Sequence, residues 1–344
     1  MAMMAAFAAS TPLPSDYVKT DSRMFFSYHP ENTSFQRGYL GVGVSTISGT
    51  LHIRFPQAVE AKNITLNFTG REIVEWVDLK KVRAEKIIDN KQIYLWQSSS
   101  ELGHELITDL DLPFEFEIRD DFIGSFNSQL GKVQYTLRAT INRKPRRKKH
   151  SVEVLVPLCR WSIPKQEEMR PLVIKAHARN RKVPLSWQAI LPQTFFDVNS
   201  ETLVKLRLTS HNPNLRIRKI SACVKTCIIY SVDDRGVIPV QREKRHQKHI
   251  IAGKDILITP MGPDTIFEGN AIVKVPSNIP PSGKTKFMCV KNKLQIKVTF
   301  ERSRHSVMIM REIVIGKNFL DDKSAADMRD SMDYFSGTEF TEDQ

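Results

Sequence analysis

Apolar and polar residues alternate with a period of two along most of this chain, and that alternation limits the possible folds more than any other feature. Val133, Tyr135, Leu137, Ala139 and Ile141 are interleaved with Lys132, Gln134, Thr136, Arg138 and Thr140. The same texture marks Leu51, Ile53 and Phe55; Ile64, Leu66 and Phe68; and Phe114, Phe116 and Ile118. It returns in Val204, Leu206 and Leu208, and again in Leu294, Ile296, Val298 and Phe300. Side chains of a strand point alternately to its two faces, so each run predicts a strand with one face in a core and one in water. Turn-forming clusters separate the runs, among them His211–Asn214 and Asp233–Gly236. Only Leu79 to Ile88 offers helical spacing, through Leu79, Val82 and Ile87. Many short strands and few helices predict an all-β protein of packed antiparallel sheets and exclude a parallel α/β fold.

With 344 residues the chain has material for more than one domain. Strand patterning lapses between Pro157 and Pro184, where Pro164 and Pro171 also punctuate a polar, basic stretch. The expected organisation is a disordered N-terminus over 1–19, a sandwich over 20–158, a linker over 159–184, a second sandwich over 185–317 and an acidic flexible tail over 318–344. Met1 to Ser10 is apolar but lacks the basic segment of a secretory signal, and no stretch reaches the roughly 20 apolar residues of a membrane-spanning helix. Cys159, Cys223, Cys227 and Cys289 make no disulfide framework. Cys223 and Cys227 have no matching second pair for zinc, so reduced thiols, no metal and no cofactor are expected. The sequons at Asn32, Asn63 and Asn67 are taken as chance matches.

Charge is the part of the composition that speaks to function. Lys and Arg number 51 against 38 Asp and Glu, a net of +13. Residues 319–344 hold eight acids against Lys323 and Arg329, a net of −6, which leaves +19 on residues 1–318. A cationic body with an anionic tail predicts an anionic partner, or a tail that folds back on the body. Arg143, Lys144, Arg146, Arg147, Lys148 and Lys149 place six cations in seven residues. They lie between the run ending near Asn142 and the one beginning near Val152, so a hairpin loop is expected. Three readings stand for this loop: docking on an anionic surface, a solvated turn, and a nuclear-import signal. A second patch joins Arg170, Lys175, Arg179, Arg181 and Lys182. A third joins Arg242, Lys244, Arg245, His246, Lys248 and His249, where the histidines have no carboxylate or thiol at ligand spacing. Arg in such clusters pairs bidentately with phosphate.

Motifs of catalysis are missing: there is no phosphate-cradling glycine loop, no Gly-x-Ser-x-Gly and no His-Glu-x-x-His. Gly38, Gly41 and Gly43 fit a turn and strand. No catalytic residue is assigned. Trp76, Trp96, Trp161 and Trp187 lie in strand contexts rather than among the basic runs, which argues against a nucleic-acid stacking platform.

A succession of segments resembles the arrestin N-domain: Gly49–Pro56, Ile64–Gly70, Trp76, Leu112–Ile118, Ser125–Phe126 and Gly131–Ala139. The order is typical of the α-arrestins. Leu203–Thr209, Leu215–Tyr230, Val275–Pro281 and Ile313–Gly316 are similar to the arrestin C-domain, so the resemblance spans about residues 20–317. It implies two immunoglobulin-like β-sandwiches in tandem in a curved, bilobal arrangement, and a non-catalytic cytoplasmic adaptor peripheral to plasma or endosomal membranes. Its implied partners are membrane receptors or transporters, acidic phospholipids, and a ubiquitin ligase or clathrin adaptor. The Pro-Pro-x-Tyr peptide used for ligase recruitment is absent: Pro280-Pro281-Ser282-Gly283 has no Tyr, and Leu13-Pro14-Ser15-Asp16-Tyr17 is one residue too long for a variant. Arg170–Lys175 is faintly similar to the arrestin strand that carries a cation of a buried charge network. The tail, with Asp333, Phe335, Glu339 and Phe340, resembles both clathrin-adaptor peptides and the arrestin tail that restrains its own N-domain; a solubilising tail is the plainer reading. A retromer-type cargo-recognition subunit and a basic nucleic-acid-binding protein are the alternatives.

Overall fold

The computed structural model describes residues 23–29, 32–77, 81–147, 149–177, 185–210, 217–232, 243–257, 266–276, 279–301 and 306–320. Side chains are described for all of these except 176, 177, 185, 210 and 243–257. The described residues are strands, turns and irregular segments, with no helix among them. They divide into two compact units. The first draws on Met1–Arg160, Tyr230–Lys244 and Thr285–Met288, and the second on Trp161–Ile229, Arg245–Lys284 and Cys289–Gln344.

Among the described residues, nine strands build the first unit: β1 (Met24–Ser27), β2 (Gln36–Gly38), β3 (Ser45–Ala61), β4 (Asn63–Val77), β5 (Lys81–Gln97), β6 (Glu105–Ile118), β7 (Phe126–Asn127), β8 (Gly131–Asn142) and β9 (His150–Leu155). β1 and β2 pair antiparallel with one edge of β3, and β6 pairs with the other. The second sheet has the order β5-β4-β8, with β7 and β9 also on β8. The expected alternation is realised in β8, where Val133, Tyr135, Leu137, Ala139 and Ile141 are all buried. Phe68 joins the two sheets. Its ring stacks on Tyr135 at 5.8 Å in its own sheet and meets Phe116 of β6 at 5.9 Å. Gly70 leaves room for that stack: a Cβ there would stand 2.6 Å from the Tyr135 ring.

Eleven further described strands lie wholly or mainly in the second unit: β10 (Trp161–Ser162), β11 (Leu172–His177), β12 (Leu185–Leu191), β13 (Phe195–Asp197), β14 (Glu201–Ser210), β15 (Ile217–Val232), β16 (Glu243–Leu257), β17 (Ile266–Lys274), β18 (Gly283–Lys284), β19 (Met288–Phe300) and β20 (Ser306–Asn318). One sheet has the order β11-β12-β14-β17; the other runs β10-β20-β19-β15-β16, with β13 on β20 and β18 on β19. Trp187, Leu206 and Val273 of the first sheet share one core with Val224, Ile296 and Ile313 of the second. Two stacked sheets around a common core make this unit a β-sandwich like the first.

Four expectations need correction. The helical spacing of Leu79 to Ile88 is a strand from Lys81 onward. The pairing of β5 with β4 shifts register where Gly70 meets Asp89 and Arg71 meets Ile87, so Ile88 is an extra residue. Val82 and Ala84 alternate inward before this bulge, whereas Ile87, five residues after Val82, is exposed on the opposite face; an apolar side chain on the wet face imitated a helical pattern. The stretch 159–184, read as a linker, contains β10 and β11, and Ile174 of β11 is buried in the second core. Pairing is also not purely antiparallel, since β10 and β13 lie parallel to β20. At the far end, Phe319 is buried and its N–H donates to Ser162 O at 3.2 Å, so the fold continues past 317. The disordered N-terminus over 1–19 and the tail beyond 320 lie outside the described residues.

Candidate anion-binding site

The densest cationic segment connects β8 to β9, as the sequence pattern predicts. His150 of β9 pairs with Ile141 of β8, which closes the hairpin around residues 143–149. Arg147 N–H donates to Lys144 O at 3.2 Å, and Arg146 takes a φ of 74°, the left-handed turn conformation. The base of the loop is anchored. Arg143 Nε donates to Glu60 O at 3.2 Å, and the Lys144 ammonium pairs with the Glu60 carboxylate. That hydrogen bond from Lys144 holds the Glu60 carboxyl below the usual carboxylate range, with weaker attraction from His104 and Arg147. Arg146, Arg147 and Lys149 are exposed, and no carboxylate among the described residues pairs with them. Lys148 lies outside the described residues.

Strand register fixes what surrounds this loop. Asn63 at the start of β4 pairs with both Asn142 at the end of β8 and Gln97 at the end of β5. Ala61 at the end of β3 pairs with Glu105 at the start of β6. The β3–β4 turn, the β5–β6 loop and the basic loop therefore share one pole of the first unit. Cross-links tie them: Lys62 N–H donates to Asn142 O at 2.7 Å, Ser98 N–H donates to Lys62 O at 3.0 Å, and Asn142 Nδ2 donates to Asn63 Oδ1 at 2.7 Å. This frame fixes the backbone at the base of the loop, so binding an anion need order only the exposed side chains.

The other candidates are not brought to this pole by any described contact. Lys175 is exposed on β11 opposite Gln188, in the second unit. Arg170 is exposed just before that strand. Arg179, Arg181, Lys182 and Arg242 lie outside the described residues, as do Asp333, Phe335, Glu339 and Phe340. Lys244, Arg245, His246, Lys248 and His249 lie on β16, whose backbone alone is described.

Two polar constellations escaped the sequence reading because their members are far apart in the chain. On the outer face of β1, β3 and β6, Ser27 Oγ stands 2.8 Å from His52 Nε2, and His52 Nδ1 stands 2.6 Å from Asp111 Oδ1. This is the spacing of a hydroxyl–imidazole–carboxylate relay. However, Arg54 Nη2 donates to the same Asp111 oxygen at 2.6 Å, and Phe25 stacks on the imidazole at 4.7 Å. Asp111 is half exposed, so water screens the trio and it serves as a surface polar ladder. The second constellation is interior. Glu72 is buried on β4 and accepts from Phe287 N–H at 2.8 Å and from the Thr285 hydroxyl, pinning the 285–288 segment within the first unit.

An open depression of about 420 Å³ lies on the outer face of β12, β14 and β17, where Arg207 pairs with Glu268 at 3.2 Å. Among the described residues, no group of three or more His, Cys, Asp or Glu could hold a metal ion. No described helix is long and apolar enough to cross a membrane. None of the four cysteines is joined in a disulfide.

The described residues thus form two β-sandwich units, the first of which carries a cationic pole. Residues 36–160, which span β2 to β9, match the family model of the arrestin (or S-antigen) N-terminal domain. These 125 of the 344 residues are therefore similar to an arrestin N-terminal domain. No curated protein matches the chain.

Proposed function

We propose that this protein is an α-arrestin-like adaptor of the cytoplasm, peripheral to plasma or endosomal membranes, which binds membrane receptors or transporters and directs their trafficking without catalysis. The observation that carries the reading is the β8–β9 loop, which holds Arg146, Arg147 and Lys149 in water on an anchored frame within an arrestin-type domain. Near an acidic membrane each such cation contributes about 1 kcal/mol, and the effect fades within a Debye length of about 8 Å at physiological salt. Binding to acidic lipid should therefore weaken steeply with salt. On this reading the cations of the Arg170–Lys182 and Arg242–His249 segments are further candidates for anionic partners, and the tail residues Phe335 and Phe340 engage either a clathrin adaptor or the body itself. Ubiquitin-dependent endocytosis through these 344 residues would use a ligase contact other than Pro-Pro-x-Tyr.

The test is a triple reversal, Arg146→Glu, Arg147→Glu and Lys149→Glu, compared with the parent chain. Cosedimentation with acidic vesicles and proximity labelling of membrane proteins in cells are the readouts. Loss of both supports the reading, and loss of neither rejects it. Covalent labelling of Ser27 by a fluorophosphonate would overturn its non-catalytic part.

A further inference from the structure

Leu102 stands at the tip of the β5–β6 loop, 88% exposed. The turn that presents it is well made. Gly103 N–H donates to Ser100 O at 2.8 Å, Leu102 N–H donates to Ser100 Oγ at 3.3 Å, and Ser100 N–H donates to Ser98 Oγ at 3.3 Å. Gly103 takes the left-handed conformation at φ 69°, and nothing lies within 4 Å of where its Cβ would be. A turn position of this kind favours Asn, Asp or Ser, which bond their own backbone. A leucine adds nothing to the turn and puts an apolar side chain in water. A second leucine, Leu106, is 69% exposed at the start of β6, opposite Glu60.

A lone exposed leucine would need no explanation. Here two occur at the same pole as the basic loop, on strand ends whose pairing is fixed. Across residues 60–63, 98–105 and 143–149 there are seven Lys and Arg against Glu60, Glu101 and Glu105, a net of +4. An anionic bilayer is the partner that uses both properties: its headgroups attract the cations, and its acyl boundary accepts an apolar tip. A phosphorylated peptide would use the cations and leave Leu102 in water.

We infer that this pole of the first unit is a membrane-docking site, in which Leu102 inserts into the acyl boundary of an anionic bilayer while Arg146, Arg147 and Lys149 hold the headgroups. The inference rests on the anion-binding reading and names its partner. Leu102 lies on a loop tip and touches no core, so its replacement leaves the fold intact.

The experiment uses the full chain and two sets of vesicles, phosphatidylcholine alone and phosphatidylcholine with phosphatidylserine. Leu102→Asp should weaken binding to the acidic vesicles by on the order of tenfold. A Leu102→Trp variant should gain a blue-shifted emission that brominated acyl chains quench on acidic vesicles and not on neutral ones. Acidic-vesicle binding that ignores Leu102→Asp, or an added indole emission in Leu102→Trp that stays unquenched in the bound state, overturns insertion and leaves the anion-binding reading in place. Binding to a phosphoserine peptide with none to vesicles overturns membrane docking. Insensitivity of every anionic ligand to Arg146→Glu and Arg147→Glu removes the underlying reading as well.

Discussion

Replacing Gly70 by alanine should destabilise the first unit, although glycine in a strand is ordinarily the poorer residue. Glycine loses more backbone freedom on folding than alanine, so the exchange alone should stabilise by roughly 0.5–1 kcal/mol. Against this, the new methyl would stand 2.6 and 2.7 Å from two atoms of the Tyr135 ring and 3.4 Å from Ile88 Cβ. The ring has little freedom to retreat. Phe68 and Phe122 each stack on it at 5.8 Å, and its hydroxyl donates to Ile123 O at 2.7 Å. Overpacking of this kind costs about 1–3 kcal/mol, which leaves a net loss centred on roughly 1 kcal/mol and no larger than about 2.5 kcal/mol. Chemical denaturation should be followed by hydrogen exchange of β4 and β8 amides, so that the first unit is read by itself. In a Tyr135→Leu background the obstruction is gone, and Gly70→Ala should become neutral or stabilising. Equal costs in the two backgrounds, within about 0.5 kcal/mol, would show that the stacked ring is not what reserves this position for glycine.

Other consequences are as direct. Asn292 is buried in the second unit, where its Oδ1 accepts from Thr226 Oγ1 at 2.6 Å and its Nδ2 donates to Pro280 O and Ser282 Oγ. Asn292→Ala should cost about 2–4 kcal/mol in denaturant titrations by stranding these groups, and Thr226→Val added to Asn292→Leu should recover part of that loss. The hydrogen bond from His52, and then that from Arg54, hold the Asp111 carboxyl below its usual range. A carboxyl depressed in the folded state favours folding above its ordinary value of about 3.9, and that contribution is lost as pH falls through the depressed value. Carbon-detected NMR titration of Asp111 should show a low midpoint that rises in His52→Ala; a midpoint unmoved by that change would contradict the assigned cause.

What the sequence revealed was set by the range of the interactions involved. The β8 pattern from Val133 to Ile141 is a local record of one buried and one wet face, and it sufficed for the strand, the sandwich and the position of the basic hairpin. The β5 pattern is equally local, yet Ile87 puts an apolar side chain on the wet face, opposite the one Val82 occupies, and that odd spacing resembled a helix. The relay from Ser27 to His52 to Asp111 could not be read, because its members are 25 and 59 residues apart and meet only through strand register. Glu72 and Phe287 are 215 residues apart. Nothing in the sequence beside Glu72 marks it as a buried acid, for its neighbour is the charged Arg71 and its strand partners are Lys86 and Val133.

Leu102 belongs to an intermediate case. The run Ser98-Ser99-Ser100-Glu101-Leu102-Gly103 is a legible turn, and a leucine inside it is a local anomaly that sequence alone could have raised. Its meaning came from pairing: Ala61 with Glu105, and Asn63 with both Gln97 and Asn142, bring the loop to the basic hairpin. The same pairing explains why the cations are unequal. Arg143 and Lys144, nearest the strands, are bonded to Glu60, while Arg146, Arg147 and Lys149 make no ion pair with it, although Arg147 is near enough to attract it weakly. A reversal at Lys144 should therefore act partly through loop geometry, because it also leaves Glu60 without its partner. Reversals at Arg146 and Arg147 should act through charge alone. Comparing Lys144→Glu with Arg147→Glu in the salt dependence of vesicle binding separates anchor from grip: the second should flatten the slope with no change in hydrogen exchange at the β8–β9 hairpin, and the first should change both.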